Sequence, residues 1–156
     1  MPIASRLKWF LDINRLRYEV VPQRSRTPRS DPGEPAAIPD ARLAKSVMLR
    51  DDEGYVMAVI PASHGVAMDA LNRQLHRKLD RARQRELRSL FYDCQPDAIP
   101  PAGAAYGIPT VIDDRLLEAD DVYFESGDRG DLVHMTSEAF RDLNEGARHG
   151  PISSDS

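Results

Sequence analysis

A lysine in the middle of an apolar run is the first residue whose type and position suggest chemistry. The run covers residues 43–49, and Lys45 shares one side of the predicted strand with Leu43, Val47 and Leu49. This is the side expected to face the core, where an ammonium group must find an anion or reach water. A lysine whose stem packs while its charged head reaches solvent also explains the pattern, and the run alone favours this interpretation.

A segment rich in proline and glycine is the second candidate. This Pro-Gly loop, residues 94–109, holds four prolines and two glycines, which exclude a regular helix. A rigid loop with small side chains can present backbone N–H and C=O groups to a ligand. A plain crossover loop is the alternative interpretation.

The other reactive side chains form no recognisable set. Cys94 is the only cysteine, so no intramolecular disulfide is possible, and it lies beside no second Cys or His that would suggest zinc. We interpret it as a plain thiol. Asp113 either orients a pocket or begins a turn, and the pattern favours the turn. No Walker, Rossmann or zinc signature is present, and no metal or cofactor is predicted. The histidines are scattered without metal-ligand spacing: His64, His76, His134 and His149.

The charges are distributed unevenly along the chain. Residues 1–90 hold 17 of the 21 Lys and Arg, whereas residues 91–156 carry a net charge of −10. A basic part on an acidic protein is compatible with contacts to nucleic-acid phosphates, and it is also common on solvated surfaces. The basic residues in segment 73–88 have two interpretations, a ridge that faces phosphates and a solvent-exposed pair of helices, and the sequence leaves both open.

Length and composition predict one soluble domain with its own core. The chain has 156 residues, of which 41% are hydrophobic and 29% charged. The N-terminus lacks the apolar core of a signal peptide, and no apolar run approaches the roughly 20 residues needed to span a bilayer. We therefore expect a cytoplasmic protein without a membrane partner.

Periodicity and turn residues predict a mixture of helices and strands around these candidates. Arg50 to Gly54, between two apolar runs, are typical of a hairpin, and Thr136 has the chemistry to cap a final helix. The chain is expected to be polar and frayed from Asn144 onward. The predicted elements are a helix over 3–16, a strand over 17–21, a loop over 23–40, strands over 43–49 and 55–60, helices over 67–80 and 81–91, a strand over 110–113, a turn or short helix over 113–117, and strands over 122–125 and 132–135.

Four motifs follow one another along the chain. They are Leu43-Ala44-Lys45-Ser46-Val47, Tyr55-Val56-Met57-Ala58-Val59-Ile60-Pro61-Ala62, Ala98-Ile99-Pro100-Pro101-Ala102-Gly103 with Tyr106-Gly107-Ile108-Pro109, and Val111-Ile112-Asp113 through Tyr123-Phe124-Glu125-Ser126-Gly127-Asp128. Each motif is short, but the ordered set at matching intervals is fairly specific. It resembles the YbaK/ProX-like (YbaK/EbsC) family of free-standing aminoacyl-tRNA deacylases. The resemblance covers most of residues 1–143 and leaves 144–156 as a polar C-terminal tail.

This resemblance implies a fold, an activity and a site. The fold would be α+β, a single compact domain with a curled mixed sheet approaching a barrel, flanked by helices. The activity would be metal-independent hydrolysis of the ester in mischarged tRNA, with an aminoacyl-tRNA synthetase as a further partner. Lys45 and Gly103 would act in catalysis, where Lys45 and the backbone of residues 97–103 support the attack of water. A hydroxyl of the terminal ribose would assist that water. The residues implied to bind substrate are Ile99, Pro100, Pro101, Ala102 and Asp113.

Three positions and one longer segment depart from the family pattern. The segment is the loop over 23–40, which is poorer in the family's usual Thr/Ser and helix-forming pattern. The family usually has a glycine where this chain has Asp97, a bulkier apolar residue at Ala102 and often a histidine at Arg129. An altered loop favours an unusual substrate or reduced activity. The alternatives are a tRNA-binding module that keeps the fold without the chemistry, and a hydrolase of another small ester or amide.

Overall fold

The computed structural model describes residues 3–22, 38, 40–95, 98–128 and 130–154. Over these residues it contains five α-helices and ten strands. The elements follow in the order α1 (Ser5–Ile13), β1 (Glu19–Pro22), a 3₁₀ helix (Asp40–Arg42), β2 (Leu43–Asp51), β3 (Gly54–Pro61), β4 (Gly65–Val66), α2 (Met68–Leu75), β5 (Asp80–Arg81), α3 (Gln84–Leu90), a second 3₁₀ helix (Gly103–Tyr106), β6 (Thr110–Asp113), α4 (Asp114–Glu118), β7 (Asp121–Glu125), β8 (Asp131–Thr136), α5 (Ser137–Leu143), β9 (Arg148–Gly150) and β10 (Ser153–Ser154).

One mixed sheet of eight strands organises the molecule. Its order is β1-β8-β7-β2-β3-β6-β9, and β5 joins β2 beside this path. β2 runs parallel to β7 and antiparallel to β3, while β6 runs parallel to both β3 and β9. The predicted fold class, a mixed α/β domain with helices around a curled sheet, is confirmed, and the sheet remains open.

Apolar side chains cover both faces of this sheet. Alternation along β2 sends Ala44 and Met48 to the main core, where helices α1 and α5 also pack. It sends Leu49 to the opposite face, where Leu71 of α2 and Ile152 complete a second cluster. β2 is therefore a central strand that is buried on both sides, and it gives the site a rigid base.

The predicted hairpin is present, and its turn has a clear cause. Asp51 Oδ1 accepts hydrogen bonds from the backbone N–H groups of Glu53 (2.8 Å) and Gly54 (3.2 Å). Gly54 has a φ of 136°, a conformation that favours glycine. The hairpin pairs Lys45 with Ile60 and Asp51 with Gly54.

Several predicted elements need correction. The helix over 3–16 is shorter, Ser5–Ile13, and the basic segment 67–91 holds two short helices separated by β5. Fraying from Asn144 is wrong for residues 144–154, because β9 pairs with β6 and β10 pairs with β4. Ile152 is fully buried in the second cluster, so an apolar residue inside a polar segment was the signal that the segment folds back. Thr136 caps α5 as predicted, since its side chain accepts a hydrogen bond from the Ala139 N–H.

The same hairpin predicts a loss of stability in acid. Hydrogen bonding from Arg77 lowers the pKa of Asp51 to about 2, below the value of about 3.9 expected when unfolded. The charged carboxylate therefore stabilises the fold above about pH 4, and this stabilisation is lost as the pH falls from about 4 to 2. Asp51→Asn should lower the midpoint of urea unfolding at pH 7. As the pH falls from about 4 to 2, this midpoint should decrease less in the variant than in the wild type. In Asp12→Asn, which removes only an exposed helix pair with Lys8 (2.7 Å), the decline should match the wild type.

Candidate functional site

An opening in the sheet lies beside the middle of β2. The ladder between β2 and β7 pairs Leu43 with Tyr123 and Ala44 with Phe124. The next strand on that edge is β5, which joins at Leu49. Among the described residues, positions 45–47 therefore have no strand partner on this edge.

Other contacts hold β7 away from β2 at this point. The Ser126 carbonyl accepts a hydrogen bond from the Ala4 N–H (2.8 Å), and the Gly127 carbonyl accepts one from the Gln95 N–H (2.8 Å). Gly127 has a φ of 101°, and a Cβ there would lie 2.7 Å from that of Ala4. The turn after β7 is thus fixed against α1 and the start of the Pro-Gly loop, which keeps the sheet open beside Lys45.

The Pro-Gly loop is anchored to β2 by Ser46. The Ser46 hydroxyl donates a hydrogen bond to the Ile99 carbonyl (3.0 Å). Asn144, at the end of α5, donates from Nδ2 to the Pro101 carbonyl (3.3 Å). Residues 98–103 are buried throughout, so this part of the loop is a packed wall of the site.

Lys45 lies on the other face of the sheet from this wall. It alternates with Ser46, and its neighbour Val47 packs on the second cluster, whereas Ile99 and Ala102 belong to the main core. Lys45 is half-buried, and it forms no ion pair or hydrogen bond with the part of the chain that the structure describes. Its ammonium is therefore available to an anionic ligand at the opening.

Gly103 is required by close packing. A Cβ at Gly103 would lie 2.0 Å from Thr110 Oγ1 and 2.6 Å from the Ile108 carbonyl oxygen. That carbonyl accepts a hydrogen bond from the Thr110 hydroxyl (3.0 Å), and the Gly103 carbonyl accepts one from the Ile108 N–H (2.9 Å). Within the described residues, the N–H groups of Ala102 and Gly103 have no hydrogen-bond acceptor, and neither do those of Ile99 and Ala104, so the loop has four unused donors.

Asp113 lies on the same face as Lys45 but is occupied by structural contacts. The register of β2, β3 and β6 places Asp113 level with Ile60, the partner of Lys45, at a distance of roughly 10 Å from Lys45, two strand spacings. Asp113 is 1% exposed. It accepts hydrogen bonds from the N–H groups of Ile152 (3.0 Å) and Arg115 (3.4 Å). The structure thus makes it the cap of α4 and the anchor of the C-terminal segment.

A polar cluster fixes the two ends of the Pro-Gly loop. Asp93 Oδ1 accepts hydrogen bonds from the Tyr106 hydroxyl (3.0 Å) and the Cys94 thiol (3.3 Å). Asp93 Oδ2 accepts one from the Arg6 N–H of α1 (2.9 Å), and Arg6 Nε donates to the Ala105 carbonyl (2.7 Å). Burial is the main cause that raises the pKa values of both Tyr106 and Cys94. These groups therefore remain protonated and hold the loop in place.

This cluster predicts an unreactive thiol. Burial raises the pKa of Cys94 to about 12, so at pH 8 its thiolate fraction is about 10³-fold lower than that of an ordinary cysteine. Iodoacetamide should alkylate Cys94 far more slowly in the folded protein than in urea, as measured by mass spectrometry. Alkylation at the same rate in both states would contradict the buried environment.

Some predicted features fall outside the described residues. These are Asp97, Arg129 and residues 23–37 with Arg24, Arg26 and Arg29. Of the predicted site residues, the structure brings Ile99, Pro100, Pro101, Ala102 and Gly103 together in one wall. It places Lys45 across the sheet from them and Asp113 two strands away.

Sequence reasoning missed three residues that build the site. Ser46 was overlooked, although a hydroxyl in an apolar strand signals a buried hydrogen bond. Asn144 was assigned to a frayed tail, and nothing in its neighbourhood signalled a contact with Pro101. Asp93 was not singled out, because its partners Arg6 and Tyr106 are far from it in the chain.

The described residues contain neither a membrane-spanning helix nor a metal cluster. No helix there is long and apolar enough to cross a membrane. No group of three or more His, Cys, Asp or Glu side chains in the described ranges is arranged so that it could hold a metal ion.

Comparison with known proteins gives a family and a fold. The sequence model of the aminoacyl-tRNA editing domain matches residues 30–143. No curated protein matches the chain significantly. The chain belongs to the aminoacyl-tRNA editing domain family, and the resemblance to YbaK proteins is confirmed.

Solved structures share the fold at low sequence identity. A protein from Marinobacter aquaeolei VT8, provisionally described as a signal transduction protein, is 23% identical with a TM-score of 0.75. The match covers 96% of this chain but only 30% of that longer one. A protein provisionally described as a trans-editing enzyme for prolyl tRNA synthetase is 19% identical with a TM-score of 0.77, and the match covers 99% of this chain and 98% of the other. A scaffold protein used for computational epitope grafting is 16% identical with a TM-score of 0.79, covering 99% and 98%.

Proposed function

We propose that this chain is a trans-editing deacylase that hydrolyses the ester of mischarged aminoacyl-tRNA at the opening beside β2. The observation that carries the proposal is Lys45, a half-buried lysine without an anionic partner among the described residues, at a gap in the sheet. Membership of the editing-domain family supports aminoacyl-tRNA editing as the general task.

The chemistry needs little more than positioning and charge stabilisation. Water attacks the carbonyl carbon of the ester, the bond to the ribose oxygen breaks, and the amino acid and the free tRNA leave. An aminoacyl ester is already activated, so a held water and a stabilised oxyanion are sufficient. The unused N–H groups of Ala102 and Gly103 are the donors proposed for the oxyanion.

The residues on the two faces of the sheet suggest two different roles in substrate binding. Lys45 comes from the second-cluster face, and the loop wall comes from the main-core face, where Ser46 meets Ile99. We assign Lys45 to the terminal phosphate or ribose and the loop to the ester. In this arrangement the hydroxyl of the terminal ribose assists the water, as the family resemblance implies. A synthetase as partner and a cytoplasmic location remain predictions of this proposal.

Deacylation of a panel of mischarged tRNAs tests the function. Purified protein is mixed with tRNAs carrying correct and incorrect amino acids, and release of the amino acid is followed at pH 7 without added metal. We expect rapid hydrolysis of at least one mischarged tRNA and little hydrolysis of its correctly charged counterpart. Binding of tRNA without hydrolysis of any ester would overturn the enzymatic proposal and favour the non-catalytic alternative.

A further inference from the structure

We propose that a row of four arginines beside the opening binds the phosphates of the double-stranded RNA stem whose end enters the site. We call this row the arginine ridge, and it consists of Arg81, Arg83, Arg85 and Arg88. The inference rests on the proposed function, because it supplies the contact that an RNA substrate needs outside the reacting end. The family match by itself says nothing about which surface makes that contact.

The local backbone places all four side chains on the outside. Residues 81–83 are extended, and Ala82 packs against the main core, so Arg81 and Arg83 lie on the opposite side of this segment. Arg81 pairs with Leu49 on the second-cluster face of β2, and both arginines are exposed. In α3, Leu87 and Leu90 pack on the core, while Arg85 and Arg88 are exposed. The two helical arginines lie three residues apart on one face of the helix. A spacing of roughly 6–7 Å within each pair, Arg81 with Arg83 and Arg85 with Arg88, follows from these two geometries.

These arginines are not held in ion pairs, although the charge of Glu86 acts on Arg83. None of the four forms an ion pair with another described residue. The one acid within α3, Glu86, is turned inward. It is occupied by Arg50 (3.3 Å), by the hydroxyl of Tyr55 and by the backbone N–H of Arg83 (2.9 Å). Four guanidinium groups are therefore exposed together, and guanidinium binds phosphate oxygens through two parallel hydrogen bonds.

The ridge is continuous with the opening. The Ala82 N–H donates a hydrogen bond to the Met48 carbonyl (2.9 Å), which ties the start of the ridge to β2. Lys45 lies three residues along the same strand, roughly 10 Å away. One RNA could thus place stem phosphates on the ridge and its terminal nucleotide at Lys45.

An aromatic residue at the end of the ridge favours RNA over other anionic partners. Tyr92 follows α3 and is 72% exposed. Exposed aromatic rings beside arginines are typical of RNA-binding surfaces, because unpaired bases stack on them. Tyr rings also occur at protein and membrane interfaces, so an acidic protein surface and an anionic membrane are outcomes of the test.

The test compares two double variants. Arg85→Ala with Arg88→Ala removes two ridge charges. The control variant, Arg17→Ala with Arg148→Ala, removes two exposed arginines that lie away from the ridge. Arg17 lies just before β1, and Arg148 lies on β9. Binding of uncharged tRNA is measured from 50 to 200 mM salt, together with steady-state deacylation. We expect the slope of log Kd against the logarithm of the salt concentration to be smaller by about two in the ridge variant than in the wild type. Its KM should rise about tenfold with kcat unchanged, and the control should match the wild type.

A second substrate separates this inference from the proposed function. Aminoacyl-adenosine has the ester but no stem, so the ridge variant should hydrolyse it at the wild-type rate. An unchanged salt slope and KM in the ridge variant would overturn the ridge while leaving the deacylase intact. Loss of tRNA binding in a protein that hydrolyses no ester would uphold the ridge and overturn the enzyme. Equal loss of binding to anionic phospholipid vesicles or to polyglutamate would overturn the assignment to RNA.

Discussion

Replacement of Lys45 by alanine is expected to lower kcat/KM for deacylation of mischarged tRNA by at least about 10²-fold. Lys45 is the half-buried cation at the opening, and no anion among the described residues competes for it. Under the proposed function, removing it deletes the charge-assisted contact assigned to the terminal phosphate or ribose. Its removal leaves no buried acid of the described chain unpaired, so the midpoint of thermal unfolding should change by no more than a few degrees.

Two further lysine variants make this result specific. Lys45→Arg keeps the charge and should recover part of the activity, while its larger planar head fits a different geometry. Lys8→Ala removes an exposed lysine on α1, whose partner Asp12 is equally exposed, and should leave turnover unchanged. Wild-type turnover by Lys45→Ala on every mischarged tRNA would remove Lys45 from the site.

Replacement of Gly103 by alanine is expected to destabilise the protein by about 3 kcal/mol. It is also expected to lower deacylation activity, because the added methyl group displaces the Pro-Gly loop. The added Cβ would lie 2.0 Å from Thr110 Oγ1, which can rotate, and 2.6 Å from the backbone oxygen of Ile108, which cannot move freely. Relief requires the loop and β6 to separate. Thermal unfolding should show a decrease of roughly 10 °C.

Gly146→Ala provides the matched control for this substitution. Gly146 has a φ of 87°, and a methyl group added there would have no atom within 4 Å, so its replacement costs only backbone strain of about 1 kcal/mol. An equal loss of stability in the two variants would show that the close contact at Gly103 is unimportant. The activity of Gly103→Ala is then measured below its unfolding temperature. A loss of activity in the folded variant is caused by the displaced loop and not by unfolding.

The parts of the fold that local chemistry decides could be predicted from the sequence. The β2–β3 hairpin follows from two apolar runs around Asp51 and Gly54, and the start of α5 follows from Thr136. The C-terminal strands could not be predicted, because β9 pairs with a strand far away in the chain. Only three residues form β9, and a strand of that length carries no readable alternation.

The candidate site was predicted in its parts but not in its arrangement. Lys45 and the Pro-Gly loop carried recognisable signals, whereas the hydrogen bond from Ser46 to Ile99 depends on packing between distant segments. The period-two alternation of a strand correctly places Lys45 and Ser46 on opposite faces of β2. It does not show which of these two faces contacts the Pro-Gly loop. That choice is made by the tertiary contacts of Asp93 with the ends of the loop and of Asn144 with Pro101 in its middle.

The position of β9 and Ile152 has a consequence for synthesis on the ribosome. β6 and Asp113 are translated some forty residues before the segment that completes their contacts. A nascent chain therefore carries the second cluster with Leu71 and Val111 incompletely covered until Ile152 emerges. Folding of this face is expected to finish late, and the exposed edge of β6 is the surface that most needs protection during translation.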